Sequence, residues 1–433
     1  MKRLTILFSL ALLLAGTAMA QTKLDFFEGL SNPDMIQWMK DRASEWNKQN
    51  PNYEVVVTTK PSYRAALSSA ILAARQGNPP AMVQIFEVGS QQAKDSGIFV
   101  PVGSIPGAFD TSDYIKPVLD YYTIGGTVNS IPFNSSNAVM YVNHALMTKA
   151  GLNPDNPPKT FSDVVKDCDA LRAAGDSADA CMTFPLHSWF FEQWMAEQNA
   201  PLVNNDNGRG GRATKVLLTS QPALNIVNWI KELHDKGYYT YTGKLENWNG
   251  SEAIFTQGKA MFHLDSTSEV GLITKAGKDG GWTATTAELP IPDGAPRQGV
   301  VIGGASIWIS KGIPQAQQVA ARSFLEYMTN TQNMISWHKL TGYFPVRISS
   351  VNALDKAGWF RENPNYAVAF TQLLNTKAST ATAGALMGPF PQVRTIIEQA
   401  IQKVINGATV DSAMSQAQAL ADQALQQYNS NFQ

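Results

Sequence analysis

The alternation of apolar and polar positions after residue 22 predicts a β-α-β-α-β order. Three short runs are rich in β-branched and aromatic residues, as strands are, and the apolar residues between them recur at helical spacing. This order favours an α/β lobe on a largely parallel sheet. The predicted elements are the strands Lys23–Phe27, Tyr53–Thr59 and Ala81–Phe86, a helix that Asn32 caps and Pro33 begins, and a helix over Arg64–Arg75.

Two polar residues lie where such a lobe is expected to bind a ligand. In parallel α/β sheets, ligands bind beyond the carboxyl ends of the strands. Tyr63 separates the second strand from its helix, and Glu87 follows the third strand. Both side chains are therefore expected at the ligand-facing edge of the sheet.

The rest of the chain is predicted to pass between two lobes. The extended segment 130–141 contains a polar kink at Asn134-Ser135-Ser136, which we interpret as a crossover into a second lobe. Segment 298–310 is strand-like with a glycine pair inside it, which indicates a bend at a ligand or at a change of lobe. Thr341–Val346 is predicted as a further crossing. The predicted lobes are 21–132 with 304–343 for lobe 1, and 133–303 with 344–433 for lobe 2.

The first twenty residues have the pattern of a secretory signal. Lys2-Arg3 precedes an apolar run over 4–15, and Ala18-Met19-Ala20 supplies the small residues of a cleavage site before Gln21. The run is too short to span a bilayer, which takes roughly 20 residues. No cysteine stands near the cleavage site, so we expect no lipid anchor. The pattern predicts a signal peptide over 1–20 and a soluble, periplasmic chain.

Length and composition favour two lobes and argue against some partners. A chain of 433 residues exceeds the ~250–300 residues at which single cores stop growing. Hydrophobic residues make up 44% and charged residues 16%, as in globular proteins. The formal net charge of −1 gives no reason to expect a nucleic acid or an anionic membrane as partner. We expect a monomer.

Cysteine and histidine usage favours binding over catalysis. Cys168 and Cys181 are close in the sequence of an exported chain, which favours a disulfide, with two buried thiols as the alternative. The five histidines are scattered without metal-ligand spacing. No nucleophile elbow, phosphate loop or dinucleotide motif has a strand-to-helix context. We therefore predict a chain that is not an enzyme and has no metal and no cofactor.

Six segments carry a more specific signal. Together they resemble the periplasmic sn-glycerol-3-phosphate-binding proteins of ABC importers, within the extracellular solute-binding family that also holds the maltose-binding proteins. The parts FEVG, PFNSS, IGGAS and TGYFP are distinctive in combination. The segments are PSYRAALSSAILAARQGNPPAMVQIFEVG (61–89), IPFNSSNAVMYVNHALMTKAGLNPDNPPKT (131–160), FTQGKAMFHLDS (255–266), VIGGASIWIS (301–310), WHKLTGYFPV (337–346) and PQVR (391–394).

The resemblance implies a periplasmic-binding-protein-like (type II) fold, in which two α/β lobes joined by hinge strands close over a ligand. It implies a ligand with a glycerol-phosphate moiety, either glycerol 3-phosphate or a glycerophosphodiester such as glycerophosphocholine. It also implies delivery to the permease and ATPase subunits of an ABC importer. The ligand-binding residues that it implies are Tyr63, Glu87, Ser136, Ser266, Gly304, Tyr343 and Arg394.

The chemistry of these residues suits such a ligand. Arg394 offers a planar fork for two phosphate oxygens, although a surface ion pair is the alternative. Ser266 and Glu269 match an S-x-x-E capping box, and a helix N-terminus is a natural anion site. Glu87 accepts hydrogen bonds from a diol and repels a second anion. The phosphate of the ligand is therefore expected at Arg394 and Ser266, and its glycerol hydroxyls are expected at Glu87.

One position departs from the family pattern. The chain reads PPKTF where the glycerol-phosphate proteins carry a tryptophan, so Phe161 keeps an aromatic surface without the indole donor. The smaller ring favours a roomier pocket for a phosphodiester. Phe161 and Trp189 are predicted as an aromatic wall that suits a choline head group, with packing inside a lobe as the alternative.

Two other functions stay open. A receptor for a neutral oligosaccharide would use the same fold, with aromatic platforms and carboxylates along its groove. A secreted hydrolase of glycerophosphodiesters would need a metal cluster or a nucleophile–base pair, and the sequence contains neither pattern.

Overall fold

The computed structural model describes residues 21–175 and 180–432. The predicted signal peptide, residues 1–20, lies outside the described residues. Within the described ranges, no helix is both long enough and apolar enough to cross a membrane.

Strands and helices alternate through the first half of the chain, and helices dominate the second half. The strands are β1 (Thr22–Glu28), β2 (Tyr53–Thr59), β3 (Met82–Phe86), β4 (Phe99–Val100), β5 (Thr123–Ile124), β6 (Thr127–Val128), β7 (Ile131–Ser136), β8 (Ala138–Asn143), β9 (Ala180–Thr183), β10 (Ala260–Ser266), β11 (Ala284–Ala287) and β12 (Gly303–Ser310). The helices are α1 (Pro33–Gln49), α2 (Tyr63–Arg75), α3 (Ser90–Asp95), α4 (Lys116–Tyr121), α5 (His144–Lys149), α6 (Phe161–Ala173), α7 (Ser188–Glu197), α8 (Asn204–Asn207), α9 (Gln221–Asp235), α10 (Trp248–Thr256), α11 (Val270–Asp279), α12 (Gln315–Met328), α13 (Thr331–Thr341), α14 (Ile348–Lys356), α15 (Trp359–Glu362), α16 (Pro364–Leu374), α17 (Phe390–Ile405) and α18 (Val410–Asn429).

The first lobe is built on a sheet of strand order β2-β1-β3-β12-β4, with β7 also paired to β12. β1 lies parallel to β2 and β3, whereas β12 runs antiparallel to its neighbours. Side chains alternate between the two faces of a strand, so Leu24 and Phe26 enter one core, to which α1 adds Trp38. The predicted β-α-β-α-β order is confirmed, and Asn32 caps α1 as predicted.

The second lobe surrounds a sheet of order β11-β8-β10-β9. Every residue of β8 is buried because helices cover both faces of this sheet. Met140 and Val142 pack with α7, α9, α17 and α18, whereas Val139 and Tyr141 pack with α10 and α11. A strand buried on both faces is apolar throughout, which explains the run AVMYV.

The predicted disulfide is formed in the second lobe. Cys168 of α6 is bonded to Cys181 of β9, with the two Cα atoms 5.4 Å apart. The bond links a helix to the edge strand of the sheet and closes a short loop, which restricts the unfolded chain.

The chain first changes lobe between β7 and β8. Asn137 separates the two strands, and its side-chain amide donates to the carbonyl of Ala369 at 2.8 Å. A second change lies between the end of β11 and the start of β12. The first falls in the segment 130–141 that was predicted as a crossover, and the second ends inside segment 298–310, where a bend at a ligand or at a change of lobe was predicted.

The third predicted crossing, at Thr341–Val346, is wrong. Gly342 ends α13 in the left-handed conformation, with φ at 85°, and turns the chain back to the first lobe. There Phe344 donates its N–H to the carbonyl of Ser135 at 3.0 Å, and the Val346 side chain joins the core under β1. The chain instead reaches the second lobe through α16, which packs on β8 and β11.

The sheets and cores therefore indicate lobe boundaries that differ from the predicted ones. Residues 133–136 of β7 pair within the first sheet rather than beginning the second lobe. Val351 of α14 also packs in the first core, beyond the predicted end at 343. Such boundaries depend on contacts between distant segments, which local patterns do not encode.

Candidate functional site

A charged cluster of Glu87, Glu192 and Arg394 spans the two lobes. Glu87 follows β3 in the first lobe, whereas Glu192 lies on α7 and Arg394 on α17 in the second. Arg394 Nη2 donates to Glu87 at 2.7 Å and to Glu192 at 2.8 Å, and Nε donates to Glu192 at 2.7 Å. All three side chains are buried. The guanidinium predicted to hold a phosphate is therefore already bound to two carboxylates.

Burial and pairing shift the pKa values in the charged cluster. Burial raises the pKa of Glu87, against the opposing effect of Arg394. Burial alone would lower the pKa of Arg394, but Glu192 and Glu87 raise it overall, so the guanidinium stays charged. Among the described residues, Nη1 of Arg394 has no hydrogen-bonding partner. Its N–H groups are the part of the fork that remains for a ligand.

A second group, the hydroxyl cluster, consists of Tyr63, Asn134, Tyr343, Ser266 and Ser268. Tyr63 begins α2, and its hydroxyl accepts a hydrogen bond of 2.9 Å from Asn134 Nδ2. Tyr343 follows α13; burial raises its pKa, whereas the neighbouring polar groups of Asn134, Tyr63 and Ser268 oppose the rise. The Tyr343 hydroxyl therefore lies between groups of both lobes.

Ser266 and its neighbours differ from the predicted capping box. Ser266 ends β10 and begins a 3-10 turn, Thr267–Glu269, ahead of α11. Its Oγ accepts from the Ser268 N–H at 3.1 Å and lies 2.9 Å from Ser268 Oγ. Glu269 accepts from Ser268 Oγ at 2.9 Å. Ser266 therefore caps the turn as predicted, but the reciprocal half of the capping box is not formed, because the Ser266 N–H donates to Asp265 rather than to Glu269.

The remaining predicted site residues, Ser136 and Gly304, lie on the paired strands β7 and β12. Ser136 lies opposite Gly303 in the register of the two strands. Gly304 has a φ of 96°, and a Cβ there would lie 1.9 Å from the carbonyl oxygen of Asn134, so only glycine fits. Trp189 covers the neighbouring Gly303, where a Cβ would come within 2.6 Å of the indole ring. Bare backbone is therefore required between the strands and the tryptophan.

Several polar atoms on or beside this strand pair are buried without a partner in the described part of the chain. Nε1 of Trp189 and Oγ of Ser135 lie near the end of β12 that carries Gly303 and Gly304, whereas Nε1 of Trp308 and Oγ of Ser310 lie at its other end. An unpaired buried polar group costs about 1–3 kcal/mol, so such atoms are rare and mark candidate ligand contacts. Ser135 was not among the predicted site residues, and the role of Trp189 as an aromatic wall stays a prediction.

Phe161 lies in the core of the second lobe. It begins α6 and stacks on Trp229 of α9, with ring centroids 3.8 Å apart. It also meets Trp194 of α7 edge-on. Its side chain is only 4% exposed. The predicted aromatic wall at Phe161 is wrong, because α6 directs this ring between two helices of its own lobe.

The lobes lie in contact across both clusters. A cavity of about 20 Å³ remains among Tyr121, Glu192 and Phe390, which has room for about one water molecule but not for a glycerol phosphate. A larger cavity of about 260 Å³ lies farther along the interface, beside Asp95 and Arg212. We assign the site to the clusters rather than to this larger cavity, because Trp189 Nε1 and Ser135 Oγ, beside the strand pair that carries Asn134, are buried donors without a partner in the described part of the chain. A ligand enters there only when the lobes separate.

The structure brings together three potential metal ligands whose spacing in the sequence did not indicate a metal site. His187, Glu246 and Glu398 offer potential ligand atoms within 4.8 Å of one another. However, His187 Nδ1 accepts from the N–H of Trp189 at 3.0 Å, and Glu398 accepts from the N–H of Ser188 at 2.9 Å. These bonds explain both side chains as caps of α7.

Glu192, Asn134 and Ser268 are candidate site residues that the sequence analysis did not name. Asn134 stands inside the distinctive PFNSS segment, so its position gave a signal that was not used. Glu192 gave none, because its partner Arg394 is 202 residues away. The arrangement as a whole offers directed N–H and O–H donors, one guanidinium and a carboxylate at a closable interface, which suits binding of a polar anion.

Residues 41–368 match the model of the bacterial extracellular solute-binding protein family. The chain belongs to this family. Relatives of this solute-binding protein include proteins named sn-glycerol-3-phosphate-binding periplasmic protein UgpB. The one from Escherichia coli (strain K12) is 29% identical over 428 residues, which cover 97% of this chain and 96% of the relative. The one from Rhizobium meliloti (strain 1021) is 28% identical and covers 94% of each chain.

Solved structures confirm the two-lobed α/β fold of this solute-binding protein. The cyclic alpha-maltosyl-1,6-maltose binding protein from Arthrobacter globiformis superposes with a TM-score of 0.77 at 18% identity, covering 94% of this chain and 100% of the other. UgpB from Mycobacterium tuberculosis in complex with glycerophosphocholine gives a TM-score of 0.76 at 21% identity, with the same coverage. At these identities the likeness establishes the fold alone.

Proposed function

We propose that this solute-binding protein is the periplasmic receptor of an ABC importer. In this role it binds sn-glycerol 3-phosphate or a glycerophosphodiester such as glycerophosphocholine between its lobes. The closed form delivers the ligand to the permease and ATPase subunits, and no bond is made or broken. The relatives named for sn-glycerol 3-phosphate and for the periplasm, similar over nearly the whole chain, support the ligand and the compartment.

The observation that carries the proposal is the convergence of distant residues on one interlobe contact. Glu87 and Arg394, 307 residues apart, meet at 2.7 Å across the lobes. Tyr63 and Tyr343 share Asn134 as a neighbour. These residues come from the segments that resemble the glycerol-phosphate-binding proteins. We infer that they form one ligand site.

The donors at this contact support phosphate rather than a neutral ligand. Arg394 Nη1, Trp189 Nε1 and the hydroxyls of Ser135 and Ser136 are available beside the paired strands. A desolvated phosphate needs several directed donors and a cation. Glu87 then accepts from hydroxyls of the glycerol end, as its carboxylate would repel a phosphate.

Closure and ligand capture are coupled in this proposal. The Arg394–Glu87 bond joins the lobes without ligand, and a bound phosphate at Nη1 adds a second link on the same guanidinium. A ligand that contacts both lobes shifts the population toward the closed form by its differential affinity.

An oligosaccharide receptor is the second candidate. The structural neighbours include maltose-type binding proteins with the same fold, and Trp189 is an aromatic surface at the lobe contact. A buried guanidinium with a free Nη1 favours the phosphate ligand over this alternative.

A thermal-shift panel tests these functions. Glycerol 3-phosphate, glycerophosphocholine, maltose and inorganic phosphate are each added to the purified protein, followed by calorimetry of any that bind. A ligand that binds the native state stabilises it by about 2.7 kcal/mol at 100 times its Kd. We expect this from the two glycerol phosphates. Stabilisation by maltose alone would favour the oligosaccharide receptor, and release of free choline or glycerol from glycerophosphocholine would show a hydrolase.

A further inference from the structure

The hydroxyl chain that ends at Glu269 has two possible directions of donation. Ser266 Oγ and Ser268 Oγ are 2.9 Å apart, and Ser268 Oγ is 2.9 Å from Glu269 Oε1. Each serine has a single O–H to donate. The backbone N–H of Ser268 already donates to Ser266 Oγ at 3.1 Å. The protonation of Glu269 therefore decides which way the remaining hydrogens point.

When Glu269 is ionised, it can only accept, so Ser268 donates to it. Ser266 then donates to Ser268 and presents lone pairs to the ligand site, which repels an anion. When Glu269 is protonated, it donates to Ser268, and Ser268 donates to Ser266. The Ser266 O–H is then released to donate to an anionic oxygen.

We propose that Glu269 binds a proton when an anionic ligand binds at Ser266. The protonation of this carboxyl group thereby controls the charge of the site and whether the Ser266 O–H donates to the ligand. The inference rests on the proposed function and adds Ser266, which the family resemblance implies as a ligand-binding residue, to the donors that contact the phosphate. No bond other than hydrogen bonds changes, and the proton comes from solvent or buffer. Glu269 acts through Ser268 and is a positioning residue.

The surroundings of Glu269 favour the protonated form. Burial, followed by the negative charges of Asp265 and Glu252, raises the pKa of Glu269 to about 7. Ser268 opposes the rise. The titratable groups that act on it are Asp265 of β10, Glu252 of α10, Tyr141 of β8 and Tyr343 after α13. His263 lies beyond them beside Asp265, and Tyr366 of α16 lies near Tyr141. A ligand anion adds one more negative charge, so it raises the pKa again.

The sign of the pH effect follows from this difference in pKa. The complex holds more protons than the free protein between the free pKa, about 7, and the higher pKa in the complex. Affinity is therefore constant below pH 7 and falls above it, by up to tenfold per pH unit, until the pKa in the complex is reached.

Calorimetry with glycerophosphocholine tests the inference. This ligand has no group that titrates near neutral pH, so any proton uptake belongs to the protein. Binding is measured from about pH 6 to about pH 9 in buffers of different ionisation enthalpy. We expect uptake that approaches one proton above pH 7, with affinity falling as described. Binding with no uptake and a flat pH profile would overturn the inference while leaving the proposed function intact.

Two variants locate the proton. Glu269→Gln keeps an N–H donor toward Ser268 but has no charge, so we expect no uptake, a flat profile and tighter binding than the native protein at about pH 9. Glu252→Gln is the control, because this carboxylate is near Glu269 but has no hydrogen bond to the serines. It should retain uptake with a midpoint at lower pH. Uptake that persists in Glu269→Gln would exclude Glu269, and absence of any binding in the native protein would reject the proposed function as well.

Discussion

The charged cluster and the hydroxyl cluster meet at the same interface but are built on opposite principles. Glu87, Glu192 and Arg394 bind one another through three hydrogen bonds of 2.7 to 2.8 Å and leave one net negative charge. The hydroxyl cluster around Asn134 is neutral apart from the neighbouring Glu269. Removing Arg394 from the first leaves two buried carboxylates without a cation, whereas removing a hydroxyl from the second leaves neutral groups.

Because of this difference, the charged cluster and the hydroxyl cluster are expected to have different tasks at the interface between the lobes. Buried ion pairs are costly to break because each remaining charge has lost its hydration. The charged cluster therefore fixes the closed arrangement of the lobes and affects stability and binding together. Neutral donors contribute about 0.5–1.5 kcal/mol each and are easily exchanged between protein, water and ligand. The hydroxyl cluster is therefore expected to affect ligand binding with little effect on stability.

Arg394→Ala is expected to have the largest effect. It leaves Glu87 and Glu192 buried without a cation, so the free energy of unfolding should fall by about 3–5 kcal/mol. Affinity for a glycerol phosphate should fall by about 2–5 kcal/mol. Denaturant unfolding and calorimetry measure the two effects.

A second variant tests the cause of that effect. Glu192→Gln should destabilise the native protein but stabilise the Arg394→Ala variant, because it then removes an unpaired charge. If both substitutions destabilise additively, the charged cluster is not the unit that we describe.

Gly304→Ala probes the strand pair that joins the clusters. The strained φ of 96° and the contact of a Cβ with the Asn134 carbonyl should together cost at least about 1–3 kcal/mol of unfolding free energy. Gly126→Ala is the matched control, since Gly126 has a φ of 75° but open space around it. Equal losses in thermal unfolding would show that the close approach to β7 is unimportant.

Tyr343→Phe tests the hydroxyl cluster. It removes the O–H that lies between Asn134 and Ser268, so affinity should fall by about 1 kcal/mol with little change in stability. Tyr327→Phe is the control, because that hydroxyl bonds Glu45 of α1 instead. A loss of stability larger than the loss of affinity would contradict the division between the clusters.

Arg212→Ala should have the smallest effect. Arg212 pairs with Asp95 across the lobes at 2.7 Å, but its side chain is 38% exposed. Exposed pairs contribute about 0.2–1 kcal/mol and weaken with salt. Unfolding at low and high salt checks this. A loss comparable to that of Arg394→Ala would show that burial does not distinguish the two interlobe pairs.

Local pattern predicted much of the fold. β2 occupies the predicted Tyr53–Thr59, and α1 begins after its Asn32 cap, because strand alternation and capping depend on neighbouring residues. The disulfide was favoured because its two cysteines are close in sequence. The crossing at Thr341–Val346 failed because Gly342 turns the chain back, and that direction depends on packing.

The candidate site was predicted in part. The resemblance named Glu87 and Arg394, which the structure brings into contact, but it gave no sign that they bind each other. Phe161 was assigned to the site, whereas its ring fills the space between Trp194 and Trp229. An aromatic residue at a given position of the sequence suits a ring in a core and a ring at a cleft equally well.

The sequence by itself determined the identity of the elements, the lobed α/β organisation and the set of polar residues from which the site is drawn. The tertiary structure decided which of these are paired. It committed Nε and Nη2 of Arg394 to carboxylates, left Nη1 and the Trp189 side-chain N–H without a partner among the described residues, and linked Ser266 to Glu269 through Ser268. The physical reason is the distance along the chain over which each kind of interaction acts. Helical and strand periodicity act over a few residues, whereas charge pairing and desolvation depend on groups that folding brings together from hundreds of residues apart.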